Sequence, residues 1–164
     1  VAAVVFAAVL LFDREAFLPV IKGASWSILP LVAGLFIIVR ALDATGAVFE
    51  ARRALHGLND LPPLAGALAA SFGVAVVSNF ANNLPVALLA GSAVQDHVPL
   101  LLRHALVVGV DLGPNFSITG SLATILWLIA IRREGETVGF WQFLRLGILV
   151  TAPALLLSTA ALLR

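Results

Sequence analysis

The sequence contains no cysteine, methionine or tyrosine, and it has few charged residues. The absence of cysteine excludes disulfides, thiolate metal sites and cysteine nucleophiles, and it leaves the redox compartment open. Without tyrosine, the amphipathic aromatic side chains that can anchor a chain at a membrane interface are Trp26, Trp127 and Trp141. The formal net charge is only +1 and no dense basic cluster occurs, which argues against a nucleic-acid partner.

Apolar side chains dominate what is present. Of the 164 residues, 61% are hydrophobic and 12% are charged, and the mean hydropathy is +1.07. Soluble domains carry about 25% charged residues, and a water-soluble fold of this size cannot bury so much apolar surface. No alternating strand pattern is long enough for a barrel. The sequence therefore predicts one all-α integral membrane domain over residues 1–164.

The ends of the chain contain the longest uninterrupted apolar runs. Since a span takes about 20 apolar residues, we predict transmembrane helices at residues 25–42 and 140–163. Residues 1–12 lack the charged start and cleavage site of a secretory signal, and we interpret them as a truncated helix; a complete short amphipathic segment is the alternative. Residues 45–58 interleave charged and apolar side chains, which predicts an amphipathic helix at the membrane surface.

The middle of the chain contains shorter apolar arms that are interrupted by polar residues. Arms of 9 to 14 residues are too short for a full span (about 20 residues) and are typical of re-entrant segments. We predict a re-entrant helical hairpin over residues 62–94, with its tip at 78–85. We also predict a discontinuous transmembrane helix over residues 98–132, with its break at 111–121.

The polar residues of these two breaks are the candidate functional groups. Unpaired backbone groups cost several kcal/mol each in hydrocarbon, so irregular backbone at membrane depth persists only where protein or water surrounds it. Amide side chains and free helix ends hold small ions and polar solutes in transporters, glycine permits unusual backbone angles, and proline removes a donor. The tip supplies Ser78, Asn79, Asn82, Asn83 and Pro85, and the second break supplies Gly113, Pro114, Asn115, Ser117, Thr119, Gly120 and Ser121.

Asp111 is the only carboxylate within an apolar run. An acid inside the membrane indicates proton or cation coupling. Two alternatives stay open at this point. The first is that the asparagine-rich tip is an ordinary polar loop between two spans. The second is that Asp111 is a helix-end residue at the interface, paired with Arg103 or His104.

The motifs of several enzyme classes are absent from the sequence. It has no phosphate-cradling glycine loop, no His/Glu pair at metal-ligand spacing and no nucleophile elbow. The sequence therefore predicts a transporter without ATPase activity of its own, and without a metal or cofactor.

The two breaks resemble the arsenical pump membrane protein family of the ion transporter superfamily. The resemblance rests on the segments SNFANNLP at residues 78–85 and VDLGPNFSITGS at residues 110–121, and it continues to the start of the last apolar run at Trp141. It is strongest from about residue 71 to the end of the chain. The resemblance implies the second inverted repeat of a carrier, a C-terminal fragment whose missing N-terminal repeat supplies the facing half of the site.

The same resemblance implies a function. Family members export arsenite or antimonite across the bacterial inner membrane as multi-pass proteins that use the proton gradient, and some associate with a soluble ATPase subunit. On this hypothesis Asp111 couples protons, and the substrate-binding residues are Asn79, Asn82, Asn83, Asn115, Ser117 and Thr119. The alternatives are a sodium/proton antiporter or carboxylate carrier on the same architecture, and a membrane scaffold that does not transport.

Overall fold

The computed structural model describes residue 26 and residues 28–94 and 97–164. The chain divides into two compact units, residues 1–34 and residues 35–164. Of the first unit, the description covers the exposed Trp26 and the start of the first helix, so the truncated helix predicted at residues 1–12 lies outside it. Within the described ranges every regular element is helical and no strand occurs, so the all-α prediction is confirmed there.

The described ranges contain seven α-helices and one 3-10 helix. Two of the α-helices, one of 19 and one of 22 residues, are long and apolar enough to cross a bilayer. The elements are α1 (Ile28–Ala44), α2 (Ala47–Asn59), α3 (Pro63–Ala81), α4 (Asn83–Ala93), α5 (Leu100–Leu112), the 3-10 helix (Gly113–Phe116), α6 (Leu122–Arg133) and α7 (Phe140–Ala161). The two long apolar helices are α3 and α7.

A sharp corner separates α1 from α2. The two helices are bent by 73° relative to each other, and they reach the length and hydropathy of a span only when they are counted together. Gly46 lies at this corner with φ +85°, a conformation that side-chain-bearing residues rarely adopt. Helix α2 buries Val48 and Leu55 and exposes Phe49 on another face. The position of α2 at a membrane surface stays a prediction.

Small residues dominate the packed interior of the second unit. Because alanine and glycine let helix backbones approach closely, they are typical of helix interfaces in membranes, where the hydrophobic effect does not drive association. The outer surface is apolar too: Leu149 and Leu157 of α7 are 70% and 73% exposed. The core that joins α2, α3, α4 and α5 consists of Leu55, Ala67, Ala70, Ala93, Val98, Leu102, Ala105 and Leu106.

Glycines bring α5 and the 3-10 helix into backbone contact with α3. A Cβ added at Gly109 would lie 2.3 Å from the carbonyl oxygen of Ser71, and one added at Gly113 would lie 2.3 Å from the Cα of Ala75. The four-residue spacing of these glycines matches the small-residue interfaces of transmembrane helix pairs. Any side chain larger than hydrogen would force the two helices apart.

Helix α7 packs against the same region. A Cβ at Gly147 would lie 2.5 Å from the carbonyl oxygen of Asn115, which brings α7 against the 3-10 helix. In the last turn of α7, the Thr159 hydroxyl donates a 3.0 Å hydrogen bond to Oγ of Ser71 on α3, and both side chains are fully buried. The 3-10 helix is therefore held by both α3 and α7.

Candidate substrate and ion site

The first helix break is much shorter than the predicted tip at residues 78–85. Helix α3 continues through Ser78 to Ala81, helix α4 begins at Asn83, and only Asn82 lies between them. Asn79 lies inside α3, and its Nδ2 donates a 2.7 Å bond to the carbonyl oxygen of Ala75 on the same helix. Pro85 lies in the first turn of α4, where backbone N–H groups have no partner within the helix, so the N–H that proline lacks costs no hydrogen bond.

Asn82 forms the break through its backbone. Its φ of 66° and ψ of 148° make it the only non-glycine residue with positive φ in the part of the chain that the structure describes. A side chain in that region costs about 1–3 kcal/mol and persists only where the surroundings enforce it. The Asn82 side chain accepts a 3.3 Å bond from the N–H of Leu84, which caps the start of α4.

The second break is longer and runs from the end of α5 to the start of α6. Two of its polar side chains form hydrogen bonds with backbone groups at these helix ends. Asn115 is exposed, and its Nδ2 donates a 3.0 Å bond to the carbonyl oxygen of Leu112 at the end of α5. Ser121 accepts a 3.1 Å bond from the N–H of Ala123 and caps α6. These two side chains hold the break in shape.

Direct hydrogen bonds connect the two breaks. The N–H of Asn83 donates to the carbonyl oxygen of Gly120 at 2.9 Å. The amide of Asn79 donates to the carbonyl oxygen of Gly113 at 2.8 Å, and the Thr119 hydroxyl donates to the carbonyl oxygen of Asn79 at 3.0 Å. We call these five residues the break junction. The Ser117 hydroxyl lies 3.2 Å from that of Thr119 and extends the network.

The two glycines of the junction are needed for close approach and not for unusual backbone angles, in contrast to the sequence-based expectation. Gly113 has ordinary helical angles, φ −55° and ψ −41°. A Cβ at Gly120 would lie 2.4 Å from the carbonyl oxygen of Pro114 and 2.7 Å from Oδ1 of Asn79. Both positions therefore place backbone against backbone where a methyl group does not fit.

Two buried oxygens beside the junction have no hydrogen-bond partner. They are Oδ1 of Asn79 and the hydroxyl of Ser78, which is fully buried. The orientation of the Asn79 amide follows from its surroundings, because both neighbours of its nitrogen are carbonyl oxygens. An unsatisfied buried acceptor costs about 1–3 kcal/mol, and protein atoms enclose both of these oxygens.

A cavity of about 400 Å³ opens beside the junction, between α3, the second break and α7. Its polar lining comes from Asn79, Ser117 and Thr119. The other walls are aromatic or aliphatic, which is typical of a site in which a few polar groups orient a small ligand. These walls are formed by Phe72, Val76, Phe80, Phe116, Phe140, Leu144 and Ile148.

Asp111 does not belong to the break junction. It lies in the last turn of α5, is exposed, and lines a separate cavity of about 430 Å³ between α4 and α5. Arg103 lines the same cavity and lies two turns earlier on α5, where its Nε donates a 2.8 Å bond to the carbonyl oxygen of Val98. The rest of the lining is apolar: Ala87, Ala90, Gly91, Val94, Leu106, Val107 and Val110.

The structure thus separates the predicted site residues into three groups. Asn79, Asn83, Ser117 and Thr119 come together, Asn82 and Asn115 cap helix ends, and the predicted coupling acid lies elsewhere. The interpretation of the sequence missed the buried pair of Thr159 with a serine of α3, because no local pattern indicates which helices meet. It also missed the close approach of α5 to α3, although the glycine spacing in an apolar run was a readable signal.

Apolar helices with interruptions that meet beside a cavity are typical of membrane transporters. The family model described as arsenical pump membrane protein matches residues 6–163, and the chain belongs to that family. Its apolar helices and its family identify it as a multi-pass protein of the bacterial inner membrane. The family predicted from the two break motifs is therefore confirmed.

Several relatives match most of the chain. It is 32% identical over 148 residues to the arsenical pump membrane proteins of Yersinia enterocolitica and of Escherichia coli K12, with 87% of this chain and 34% of each relative covered. It is also 33% identical over 153 residues to an uncharacterized transporter of Mycobacterium tuberculosis H37Rv, with 87% and 35% covered. The chain thus spans about a third of the length of these relatives. No solved structure matches it.

Proposed function

We propose that the chain forms half of the transport site of a secondary carrier that exports arsenite or antimonite. The observation that carries the proposal is the break junction, where two helix interruptions bind each other beside a cavity of about 400 Å³. Transporters hold small solutes at helix ends of this kind, because the free backbone groups and the helix dipoles point into the site.

The chemistry of the cavity suits a small neutral hydroxide. Arsenite near neutral pH is mostly the uncharged trihydroxide, whose hydroxyls both donate and accept hydrogen bonds. The polar side chains that line the cavity, Asn79, Ser117 and Thr119, would exchange hydrogen bonds with it. The absence of cysteine from the chain supports turnover, because thiolates hold trivalent arsenic tightly. In this assignment Asn82, Asn83 and Asn115 shape the helix ends.

Asp111 is the proposed proton-coupling residue. Its carboxylate lines a mostly apolar cavity, and intramembrane acids are the usual proton carriers of secondary transporters. The connection to the substrate is short, because Gly113 lies two residues further along the chain and its carbonyl oxygen accepts from the Asn79 amide. A change of charge at Asp111 would therefore act on the junction through the last turn of α5.

The remainder of the carrier is part of the proposal. Since the chain covers only 34% of the arsenical pump proteins it matches, a second, inverted repeat would supply the facing half of the site. A soluble ATPase subunit is a further partner that the family resemblance suggests.

Replacement of Asp111 by asparagine in the full-length carrier tests the proposal. We expect Asp111→Asn to abolish arsenite uptake into energised everted vesicles, because the amide cannot exchange a proton. Glu134→Gln is the matched control, since this exposed carboxylate follows the end of α6 and lines neither cavity. Unchanged uptake with an unchanged pH dependence would remove Asp111 from the mechanism.

A sodium-coupled antiporter or carboxylate carrier is the second candidate, and the two unpaired oxygens favour it. The buried Oδ1 of Asn79 and hydroxyl of Ser78 are neutral oxygens of the type that binds a hard cation, as unwound carbonyls do in sodium-coupled carriers. Sodium-dependent flux in proteoliposomes without any response to arsenite would favour this candidate. A non-transporting scaffold would instead give no resistance when the protein is expressed in an arsenite-sensitive strain.

A further inference from the structure

Two histidines far apart in sequence meet outside the sites described above. His56 lies in the last turn of α2 and His97 in the connection that leads from α4 to α5. Their Nε2 atoms are 3.2 Å apart, their ring centroids are 4.7 Å apart, and the rings are inclined by 15°. Both residues are exposed, so solutes can reach the pair.

A second contact holds the same two elements together. Arg52 lies one helical turn before His56, and its Nη2 donates a 3.3 Å bond to the carbonyl oxygen of Ser92 near the end of α4. The burial of Leu55 in the core fixes the same part of α2. The approach of the two imidazoles therefore follows from the packing of α2 and does not depend on a chance contact of two mobile side chains.

The separation of the two nitrogens suits a transition metal. Zinc and copper bind imidazole nitrogen at about 2.0–2.1 Å, so two nitrogens 3.2 Å apart subtend an angle of about 100° at a shared ion. That angle lies between the square-planar value of about 90° and the tetrahedral value of about 109°. The rings are stacked as they stand, so they must turn before both lone pairs point at one ion. Arg53 and the guanidinium of Arg52 disfavour a cation. Salt screens the exposed Arg53 more than the half-buried Arg52.

We infer that His56 and His97 form an exchangeable binding site for a divalent transition metal, which ties α2 to the α4–α5 connection. The described residues contain no group of three or more His, Cys, Asp or Glu side chains that could hold a metal, so water would complete the coordination. Imidazole ligands and the general order of affinities favour Cu²⁺ over Ni²⁺ and Zn²⁺. The site is separate from the proposed transport site, and its occupancy does not depend on arsenite.

Copper binding to the full-length carrier tests the inference. The protein is purified with a tag that contains no histidine, titrated with Cu²⁺ by calorimetry, and examined by electron paramagnetic resonance for coupling to two nitrogens. We expect one more bound Cu²⁺ per chain in the native protein than in the variant that carries both His56→Gln and His97→Gln. Each single variant should lose at least about 10-fold in affinity, because one ligand is gone.

His104→Gln is the matched control, since this exposed histidine on α5 lies outside the pair and should leave the extra copper in place. Size-exclusion profiles show whether each variant is folded. Equal copper stoichiometry in the native and double-variant proteins, or equal loss in the control, would overturn the inference. Replacement of both histidines by cysteine tests the proximity alone. A disulfide in that variant without copper binding in the native protein would also refute the metal site.

Discussion

Replacement of Gly113 by alanine gives the sharpest perturbation of the break junction. The added methyl carbon would lie 2.3 Å from the Cα of Ala75 and 2.4 Å from its Cβ. Carbon atoms normally approach to about 3.5–4.0 Å. The 3-10 helix must therefore move away from α3 by about 1 Å or more to accept the methyl group.

The same movement would break a bond of the junction. The Asn79 amide donates to the Gly113 carbonyl oxygen at 2.8 Å, and a displacement of this size stretches that distance past the usual limit of about 3.2 Å. Overpacking costs about 1–3 kcal/mol and a lost buried hydrogen bond about 1 kcal/mol, while alanine in a helix returns about 0.5–1 kcal/mol relative to glycine. The net expectation is a loss of about 1–3 kcal/mol in the free energy of unfolding.

Gly73→Ala is the matched control, because Gly73 lies on α3 and a Cβ there would meet no atom within 4 Å. We expect this variant to unfold at the native temperature or slightly above it. Thermal unfolding of the purified full-length carrier, followed by size-exclusion chromatography, gives the stability, and arsenite uptake into everted vesicles gives the activity. If Gly113→Ala matched Gly73→Ala in both measurements, the assignment of the junction as a close-packed site would be refuted.

Two further predictions concern single contacts. Asn82→Ala should lower the free energy of unfolding by about 2 kcal/mol, because alanine keeps the backbone strain and loses the cap to Leu84. Asn82→Gly should be neutral or stabilising, because glycine relieves the strain. Thermal unfolding in detergent compares the two variants, and equal stabilities would contradict the strain. Thr159→Val and Ser71→Ala should each cost about 0.6 kcal/mol, the mean for hydrogen bonds between transmembrane helices. A double-mutant cycle measures the pair, and fully additive losses would show that the two hydroxyls do not interact.

The helical class and the second break could be predicted because they depend on local sequence. An apolar run favours a helix and proline interrupts one, and a single segment of the sequence determines both effects. The predicted break covers residues 111–121, and the observed interruption of the α-helix covers residues 113–121. The difference of two residues at one end is ordinary for helix termini.

The tip of the first break was predicted at residues 78–85, where polar residues end an apolar run, and the observed interruption is a single residue. Asn79 instead lies inside α3, and its side chain donates to the carbonyl oxygen four residues earlier. Only Asn82 leaves the helical region, at a position that local propensity does not single out among three nearby asparagines. The polar composition therefore indicated the right segment, and the tertiary contacts determined which residue breaks the helix.

The contacts that build the site were beyond sequence reasoning because they join distant residues. The bonds from Asn79 to Gly113 and from Thr119 to Asn79 span 34 and 40 residues, and that between Thr159 and Ser71 spans 88. Their partners depend on which helices pack together, and small residues give only a weak indication of that. This is why the sequence could single out the polar groups of the two breaks but could not assign a structural role to each.

The arrangement of these contacts separates two tasks that a coupled carrier must perform. The proposed proton site at Asp111 and the proposed substrate cavity share no lining residue. Their shortest connection along the chain is the end of α5, where Gly113 is fixed to α3 by backbone contact and by the Asn79 amide. Packed backbones shift between discrete arrangements more readily than they deform. A change of charge at Asp111 can therefore alter the substrate cavity only by moving the last turn of α5 as a unit. A variant that loosens the packing of Gly113 against α3 should therefore lose the coupling between proton binding and transport before it loses either activity.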